Sequence, residues 1–134
     1  MSLRVRTVIM ARTPRETVEE FFERMGDPDE RRTVGELFAD DAVVTVPGAR
    51  FEGPDAAASF LEFLTPRYER ASKAFGRWTV DGDRVVSQGT LHGVDNDGTH
   101  FEDVRYVDVY EVREGAIRRL DVYNDLAVEG VVEP

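Results

Sequence analysis

The feature that most constrains the fold is a change in the period of the hydrophobic residues about half-way along the chain. Before residue 75, apolar side chains recur mainly every three or four residues, which is the period of helices with one buried face. From residue 75 onward they alternate with polar side chains, which is the period of strands with one buried face. Helices first and strands afterwards are typical of an α+β domain, in which helices cover one face of an antiparallel sheet.

Two helix-start signals stand near the N-terminus. The segment Thr13–Glu16 has the capping-box pattern, a threonine followed three residues later by a glutamate, with proline at the first helical position. It predicts a helix over about residues 14–25. A similar acidic, proline-containing start at Asp27–Glu30 predicts a second, shorter helix that ends before Asp40.

A β-hairpin and a third helix follow in the sequence. The β-branched run 42–46 and the turn Pro47-Gly48 predict a short strand that folds back on the residues after it. The segment Gly53–Asp55 then begins a third helix, which Pro66 interrupts. Three N-terminal helices therefore precede the main part of the sheet.

Four antiparallel strands are predicted in the second half, separated by glycine-containing turns. They cover about residues 76–80, 84–94, 100–112 and 116–125. The expected architecture is three helices packed on one face of a strongly curved antiparallel sheet, which encloses a small and mostly apolar pocket.

The length of the chain indicates one domain, because 134 residues is close to the commonest domain size. We interpret residues 13–134 as that domain. Residues 1–12 are interpreted as an N-terminal arm that is disordered or was added to the natural chain, because Met10 stands directly before the first helix signal and is a second candidate for the natural start.

Composition excludes several kinds of partner. The sequence has 17 basic and 27 acidic residues and a net charge of −10, which repels nucleic acids and anionic membrane surfaces. It lacks both a long apolar run and cysteine, so we expect a cytoplasmic protein without membrane segments, disulfides or thiolate chemistry. The partner expected is a small apolar ligand.

The strand predicted at 100–112 carries the main candidate for a functional acid. Its even-numbered residues form the more apolar face, and they are Val104, Tyr106, Asp108, Tyr110 and Val112. If this face points inward, Asp108 lies among aromatic and aliphatic side chains, where loss of solvent raises the pKa of a carboxyl. Functional acids occupy such environments. The alternative is that the odd-numbered face points inward and Asp108 is a solvated surface charge.

The strand predicted at 84–94 has two equally mixed faces, so periodicity alone does not decide which one is buried. If the even-numbered residues point inward, Gln88, Thr90 and His92 add polar groups to the pocket. His92 would then exchange a proton with Asp108, since imidazole titrates near neutral pH. The alternative is a structural or surface histidine.

No metal ion or cofactor is predicted. The chain has two histidines, His92 and His100, without a metal-binding motif around them. The turn Asp95–Gly98 resembles part of a calcium loop but lacks the closing glutamate. Asp40-Asp41 is interpreted as a turn after the second helix rather than as a catalytic pair. Glycine-rich phosphate loops and nucleophile elbows are absent from the sequence.

Several short motifs occur in an order that resembles a known superfamily. They are Leu-Phe-Ala-Asp-Asp-Ala-Val-Val at 37–44, Phe-Glu-Gly at 51–53, and the strand and turn at 108–117. The chain is similar over about residues 13–126 to SnoaL-like, ketosteroid-isomerase-like members of the nuclear transport factor 2-like group. The resemblance implies a cone-shaped, cystatin-like α+β fold, which serves isomerases, cyclases, dehydratases, hydrolases and non-catalytic binding modules.

The resemblance implies an incomplete catalytic set. The position of the isomerase general base is Val46, and the helix that carries the isomerase tyrosine offers Phe21 and Phe22 instead. Asp108 takes the position of the protonated acid that binds the oxyanion, a carboxyl that an apolar site keeps neutral. The aspartate that cyclases and epoxide hydrolases of this group have on the last strand is replaced by Val122.

These observations favour a cofactor-free acid–base enzyme of the isomerase, cyclase, dehydratase or hydrolase type, acting on a small apolar carbonyl or hydroxyl compound. In this hypothesis Asp108 donates to or polarises an oxygen and His92 exchanges a proton. The residues expected to orient the ligand are Gln88, Thr90, Tyr106 and Asn124. Those expected to form the apolar wall are Phe22, Phe38, Val46, Phe60, Leu120 and Val122.

The alternative hypothesis is a non-catalytic ligand-binding or dimerisation module of the same fold. The valines at positions 46 and 122 favour it, because they replace carboxylates. The resemblance also implies a homodimer formed through the outer face of the sheet. The residues expected on that face are Arg105, Val107, Val109, Arg119, Asp121 and Tyr123.

Overall fold

The computed structural model describes residues 12–133, so all but the last residue of the predicted N-terminal arm lies outside the described part of the chain. The helices are α1 (Pro14–Gly26), a 3₁₀ helix (Arg31–Leu37) and α2 (Ala56–Leu64). The strands are β1 (Phe38–Val46), β2 (Ala49–Glu52), β3 (Arg70–Asp81), β4 (Arg84–Val94), β5 (His100–Arg113) and β6 (Ala116–Asn124).

Helix α1 begins where the capping box predicted it. The Thr13 hydroxyl accepts a hydrogen bond from the Glu16 backbone N–H at 3.1 Å, and the Glu16 carboxylate accepts one from the Thr13 N–H at 2.9 Å. Two of the four free N–H groups at the start of the helix are satisfied in this way. Val18 and Phe21 form the buried face of the helix, which packs on the sheet.

The second predicted helix is a single stretch of 3₁₀ helix, and β1 begins directly after it at Phe38. Asp40 and Asp41 therefore lie within a strand rather than in the turn that the sequence predicted. Both are exposed, and the pairing of β1 with β6 shifts register between Phe38 and Val43. This irregularity lets two consecutive charged side chains occupy a strand without entering the core.

The six strands form one sheet in the order β2-β1-β6-β5-β4-β3. All neighbouring pairs are antiparallel except β1 and β6, which run parallel, so the sheet is mixed rather than wholly antiparallel. The reason is topological. After β2 the chain crosses through α2 to the far edge, and the meander β3 to β6 returns to place its last strand beside β1.

Strand β3 begins at Arg70, several residues before the predicted start, and a bulge interrupts its pairing with β4 between Phe75 and Arg77. Opposite the bulge, Gly89 packs so closely that an added Cβ would overlap the Ala74 carbonyl oxygen. Bulges and glycines of this kind bend a sheet.

The concave face of the sheet carries two apolar clusters. The larger lies between the helices and the strands β1, β4, β5 and β6, and it includes Val18, Phe21, Val44 and Tyr110. The smaller is formed by Leu91, Val104, Tyr106 and Leu126, with Val131 and Val132 of the C-terminal turns packed against it. No helix in the described part of the chain is long and apolar enough to cross a membrane.

Candidate functional site

Asp108 lies at the boundary between the two apolar clusters. It is on β5, with Tyr106 of the smaller cluster two residues before it and Tyr110 of the larger cluster two residues after it on the same face. Its side chain is buried, with 3% of the residue surface exposed. The structure thus places the even-numbered face of β5 inward, as the alternation of its residues predicted.

The nearest cation to Asp108 is Lys73 of β3. The Lys73 Nζ lies 3.5 Å from the Asp108 Oδ2, and the lysine side chain keeps 27% of its surface exposed. The same ammonium lies 4.8 Å from the ring centre of Tyr106 and 5.3 Å from that of Phe22. A carboxylate and two aromatic faces therefore surround it, and all three stabilise a positive charge.

A buried hydrogen bond lies next to this ion pair. The hydroxyls of Ser87 and Tyr106 are 2.9 Å apart, and either can be the donor. Ser87 is the cross-strand partner of Asp108 in the β4 and β5 ladder, so both side chains lie on the inner face. We call Lys73, Ser87, Tyr106, Asp108 and Tyr110 the inner polar cluster.

Burial controls the protonation of this cluster. Removal from water raises the pKa of Asp108 above its usual 3.8, while the charge and contact of Lys73 and the Tyr110 hydroxyl act in the opposite direction. Burial also raises the pKa of Tyr110 well above 10, and the charge on Asp108 adds to this effect. Both tyrosines of the cluster therefore remain protonated hydrogen-bond donors at neutral pH.

The polar residues predicted from β4 lie on the opposite face of the sheet. Gln88 pairs with Val107 and Thr90 with Arg105, and these partners belong to the outward face of β5. His92 is exposed. The prediction that His92, Gln88 and Thr90 face Asp108 was wrong, because the register of β4 against β5 turns the odd-numbered residues inward.

The residues predicted to form the apolar wall do lie together. They all belong to the larger apolar cluster or pack against it, and they are Phe22, Phe38, Val46, Phe60, Leu120 and Val122. Aromatic rings fill the space beside them, with ring centres 5.8 Å apart for Phe22 and Tyr110 and 5.7 Å apart for Phe22 and Trp78. Asn124 is half-buried, and its side chain accepts a hydrogen bond from the Leu126 N–H at the start of the C-terminal turns.

Comparison with known proteins identifies the family. The family model of the SnoaL-like domain matches residues 18–120, which is most of the chain. The chain belongs to the SnoaL-like family. This confirms the resemblance inferred from the motifs.

Solved structures confirm the nuclear transport factor 2-like fold of this SnoaL-like domain. TerC, co-crystallised with polyporic acid, has a TM-score of 0.77 and 18% identity, over 90% of this chain and 98% of TerC. An NTF2-like protein of unknown function from Burkholderia pseudomallei has a TM-score of 0.78 and 19% identity, with the same coverage. A protein assigned as a SnoaL-like polyketide cyclase from Jannaschia sp. has a TM-score of 0.75 and 23% identity, over 90% of this chain and 92% of that one. A search of curated protein sequences finds no significant match.

Two inward-facing residues of β3 were missed by reasoning from the sequence, and each is the single residue of its type in the chain. Lys73 is the only lysine in this SnoaL-like domain, among 17 basic residues, and Trp78 is the only tryptophan. Trp78 is on β3 in the same cross-strand row as Ser87 and Asp108.

A cavity of about 550 Å³ opens on the outer face of the SnoaL-like domain's sheet. Gln88 and Thr90 line it, together with Arg77, Arg105, Val107, Tyr123 and neighbouring residues. A second cavity of about 370 Å³ lies beside Arg70, His92 and His100 at the far end of β4. Among the described residues, no group of three histidine or acidic side chains is arranged to hold a metal ion.

Proposed function

We propose that this SnoaL-like domain is a small-molecule enzyme that works by acid–base chemistry at Asp108, without a cofactor, on an apolar compound with a carbonyl or hydroxyl oxygen. The observation that carries the proposal is a buried carboxyl with a lysine ammonium 3.5 Å away, placed where two apolar clusters meet. A buried ion pair adds little stability compared with hydrophobic residues, because burial of its charges costs free energy, so its presence here favours a role in ligand chemistry.

The cluster supports proton transfer to or from a ligand oxygen. A carboxyl whose pKa is raised by burial accepts a proton at higher pH than an exposed one, so Asp108 can alternate between donor and acceptor nearer neutral pH. The hydroxyls of Ser87 and Tyr106 already bond to each other and hold the Tyr106 ring beside Asp108. Since His92 is on the other face, the proton partner proposed for Asp108 is the ligand itself.

The solved relatives support a small organic ligand. TerC was crystallised with polyporic acid, and the Jannaschia protein is assigned as a polyketide cyclase. Both share the fold of this chain, and they support a small organic compound as the class of ligand. Their sequence identity to this chain is low, so the compound itself is identified by experiment.

The proposal is tested by a ligand screen followed by a substitution. Aromatic polyketides, steroids and terpenoids are screened by thermal shift, because a ligand that binds the folded state raises the melting temperature. Trp78 lies in the same row as Asp108, so its fluorescence reports binding at this site.

For a compound that binds and is converted, Asp108→Asn is expected to reduce turnover about 100-fold or more, the usual range for loss of an acid–base group. The matched control is Asp81→Asn, which removes an exposed carboxylate from the end of β3. Unchanged turnover in Asp108→Asn would contradict the acid role, and equal losses in both variants would show that the effect is not specific to the site.

A second candidate is a dimerisation module, and the outer face favours it. That face has a cavity of about 550 Å³ and an exposed Tyr123, whereas on the inner face the rings of Phe22 and Tyr110 pack against each other. A homodimer through this face is tested by sedimentation at micromolar concentration, with Tyr123→Glu and Val107→Glu expected to give monomers. A wild-type monomer under these conditions would reject the dimer.

A further inference from the structure

Lys73 differs from the other basic residues of this chain in kind and in position. The remaining basic residues are all arginine, whose planar guanidinium suits surface carboxylates, whereas an ammonium is a compact point charge with three rotatable donors. Lys73 is also partnered with Leu91, which in turn is partnered with Val104, so it occupies an inward row on an edge strand. A cation at an inward position needs either an internal partner or a ligand.

The partners of Lys73 leave room for another anion. An ammonium has three N–H donors, and the single Asp108 oxygen at 3.5 Å is a long contact for one of them. The rings of Tyr106 and Phe22 stabilise the charge without accepting conventional hydrogen bonds. Because 27% of the lysine side chain is exposed, a ligand can reach the ammonium from solvent.

The charge of the site selects between neutral and anionic ligands. With Asp108 ionised, the site holds one positive and one negative charge in a buried setting. Asp108 is already buried, so a neutral ligand that covers this pair removes water from the exposed part of the Lys73 ammonium without supplying a new negative charge, which is costly. An acidic ligand avoids this cost if its own oxygen replaces the Asp108 carboxylate beside Lys73.

We propose that Lys73 selects ligands with an ionisable oxygen, such as a carboxylic acid, enol or phenol, and that Asp108 takes up the proton as the ligand anion replaces it at the ammonium. For a ligand that arrives protonated, its O–H bond breaks, the electron pair stays on the ligand oxygen, and the proton bonds to a carboxylate oxygen of Asp108. For a ligand already ionised in solution, such as a carboxylate at pH 7, Asp108 takes the proton from solvent, so binding takes up one proton. The site keeps one positive and one negative charge throughout. This inference rests on the proposed function, since it requires a ligand at Asp108.

The experiment uses two probes of the same shape and different charge, 2-naphthoate and 2-naphthamide. Their dissociation constants are measured at pH 7 from the fluorescence of Trp78, which is the only tryptophan and contacts Phe22 beside Lys73. We expect 2-naphthoate to bind at least tenfold more tightly than the amide. Lys73→Met should remove this preference. The matched control Arg84→Met, which removes a cation from an exposed position at the start of the neighbouring strand β4, should leave it unchanged.

Proton uptake gives a readout that a structural lysine would not produce. Binding of the ionised probe should take up close to one proton at pH 7, measured by calorimetry in buffers of different ionisation enthalpy. Asp108→Asn should abolish the uptake, because an amide cannot accept the proton, and should tighten 2-naphthoate binding by removing the competing carboxylate. The wild-type measurement stands even if Lys73→Met does not fold.

The outcomes separate the two proposals. Equal affinities for the acid and the amide, or naphthoate binding without proton uptake, would overturn the role of Lys73 while leaving a ligand site at Asp108. A preference for the acid that survives in Lys73→Met would also overturn it. If neither probe changes the emission of Trp78 at millimolar concentration, the role of Lys73 is overturned, whereas the proposed function is decided separately by the ligand screen and by the turnover of Asp108→Asn.

Discussion

The two faces of the same sheet treat polar side chains in opposite ways. Two neighbouring cross-strand rows, one residue apart on each strand, make the comparison direct. The inner row is Trp78, Ser87, Asp108 and Val122, and the outer row is Arg77, Gln88, Val107 and Tyr123. Polar groups in and beside the inner row bond to one another and are shielded from water, whereas the outer row borders an open cavity.

This contrast shows that the chemistry of a polar side chain in this sheet depends more on which face it lies on than on its residue type. A carboxyl or hydroxyl on the inner face has its pKa and bonding controlled by its neighbours, as for Asp108 and Tyr110. One position further along the strand, the same group meets solvent. Substitutions on the inner face should therefore be costly and coupled, and those on the outer face should be mild and independent.

The largest contrast is expected between two tyrosines. Tyr110 is 1% exposed and its ring packs against Phe21 and Phe22, so Tyr110→Ala should lower the free energy of unfolding by about 3–5 kcal/mol. Tyr123 is 57% exposed on the outer face, and Tyr123→Ala should cost less than about 1 kcal/mol in the monomer. Urea denaturation of both variants measures the difference, and similar losses would break the comparison.

The next effect comes from the lack of space on the inner face. A methyl group added at Gly89 would overlap the Ala74 carbonyl oxygen and lie 3.1 Å from the Tyr106 Cε2, so Gly89→Ala should destabilise by about 1–3 kcal/mol. The control is Gly26→Ala at the end of α1, where an added Cβ meets nothing within 4 Å. Thermal melts should show a lower melting temperature for the first variant alone, and an unchanged one would mean that the bend at Gly89 relaxes freely.

A smaller effect tests the coupling of the inner hydroxyls. Ser87→Ala leaves the Tyr106 hydroxyl buried without its partner, which should cost about 1–2 kcal/mol of unfolding free energy. In the double variant with Tyr106→Phe the two losses should be less than additive. The outer-face control Thr90→Ala should change stability by less than about 0.5 kcal/mol. Strict additivity of the Ser87 and Tyr106 substitutions would argue against their interaction.

The smallest effect is a dependence on pH. The pKa of Asp108 is raised above 3.8 in the folded protein, so the unfolded chain loses this proton first as the pH rises. The stability of the wild type relative to Asp108→Asn should be highest at acidic pH and fall as the pH rises through the folded pKa. The slope is at most about 1.4 kcal/mol per pH unit. A difference that grows with pH would show instead that Lys73 depresses this pKa.

The inward face of β5 was predictable because its residues differ strongly between the two faces. Aromatic and aliphatic side chains occupy the even positions around Asp108, and alternation is enforced by the geometry of any strand. The capping box of α1 was predictable for a similar reason, since its hydrogen bonds join residues three apart in the chain. Features that depend on interactions between residues close in the chain can therefore be predicted from a short stretch of sequence.

The face of β4 was not predictable, because valine and polar residues occur on both of its faces. The register that pairs Ser87 with Asp108 and Gln88 with Val107 decides which residues of β4 point inward. A shift of one residue in this register would exchange the inner and outer faces. The parallel contact between β1 and β6 leaves no local signal either, since it joins strands that are far apart in the chain.

Motif order and alternation, which are properties of consecutive residues, predicted the family, the α+β class and the buried environment of Asp108. The surroundings of that acid depended on the tertiary structure. It removed His92 to the outer face and brought Lys73 of an edge strand to 3.5 Å from the carboxylate. The physical reason is that strand register and sheet order control which side chains meet, and these depend on hydrogen bonds between segments distant in the chain.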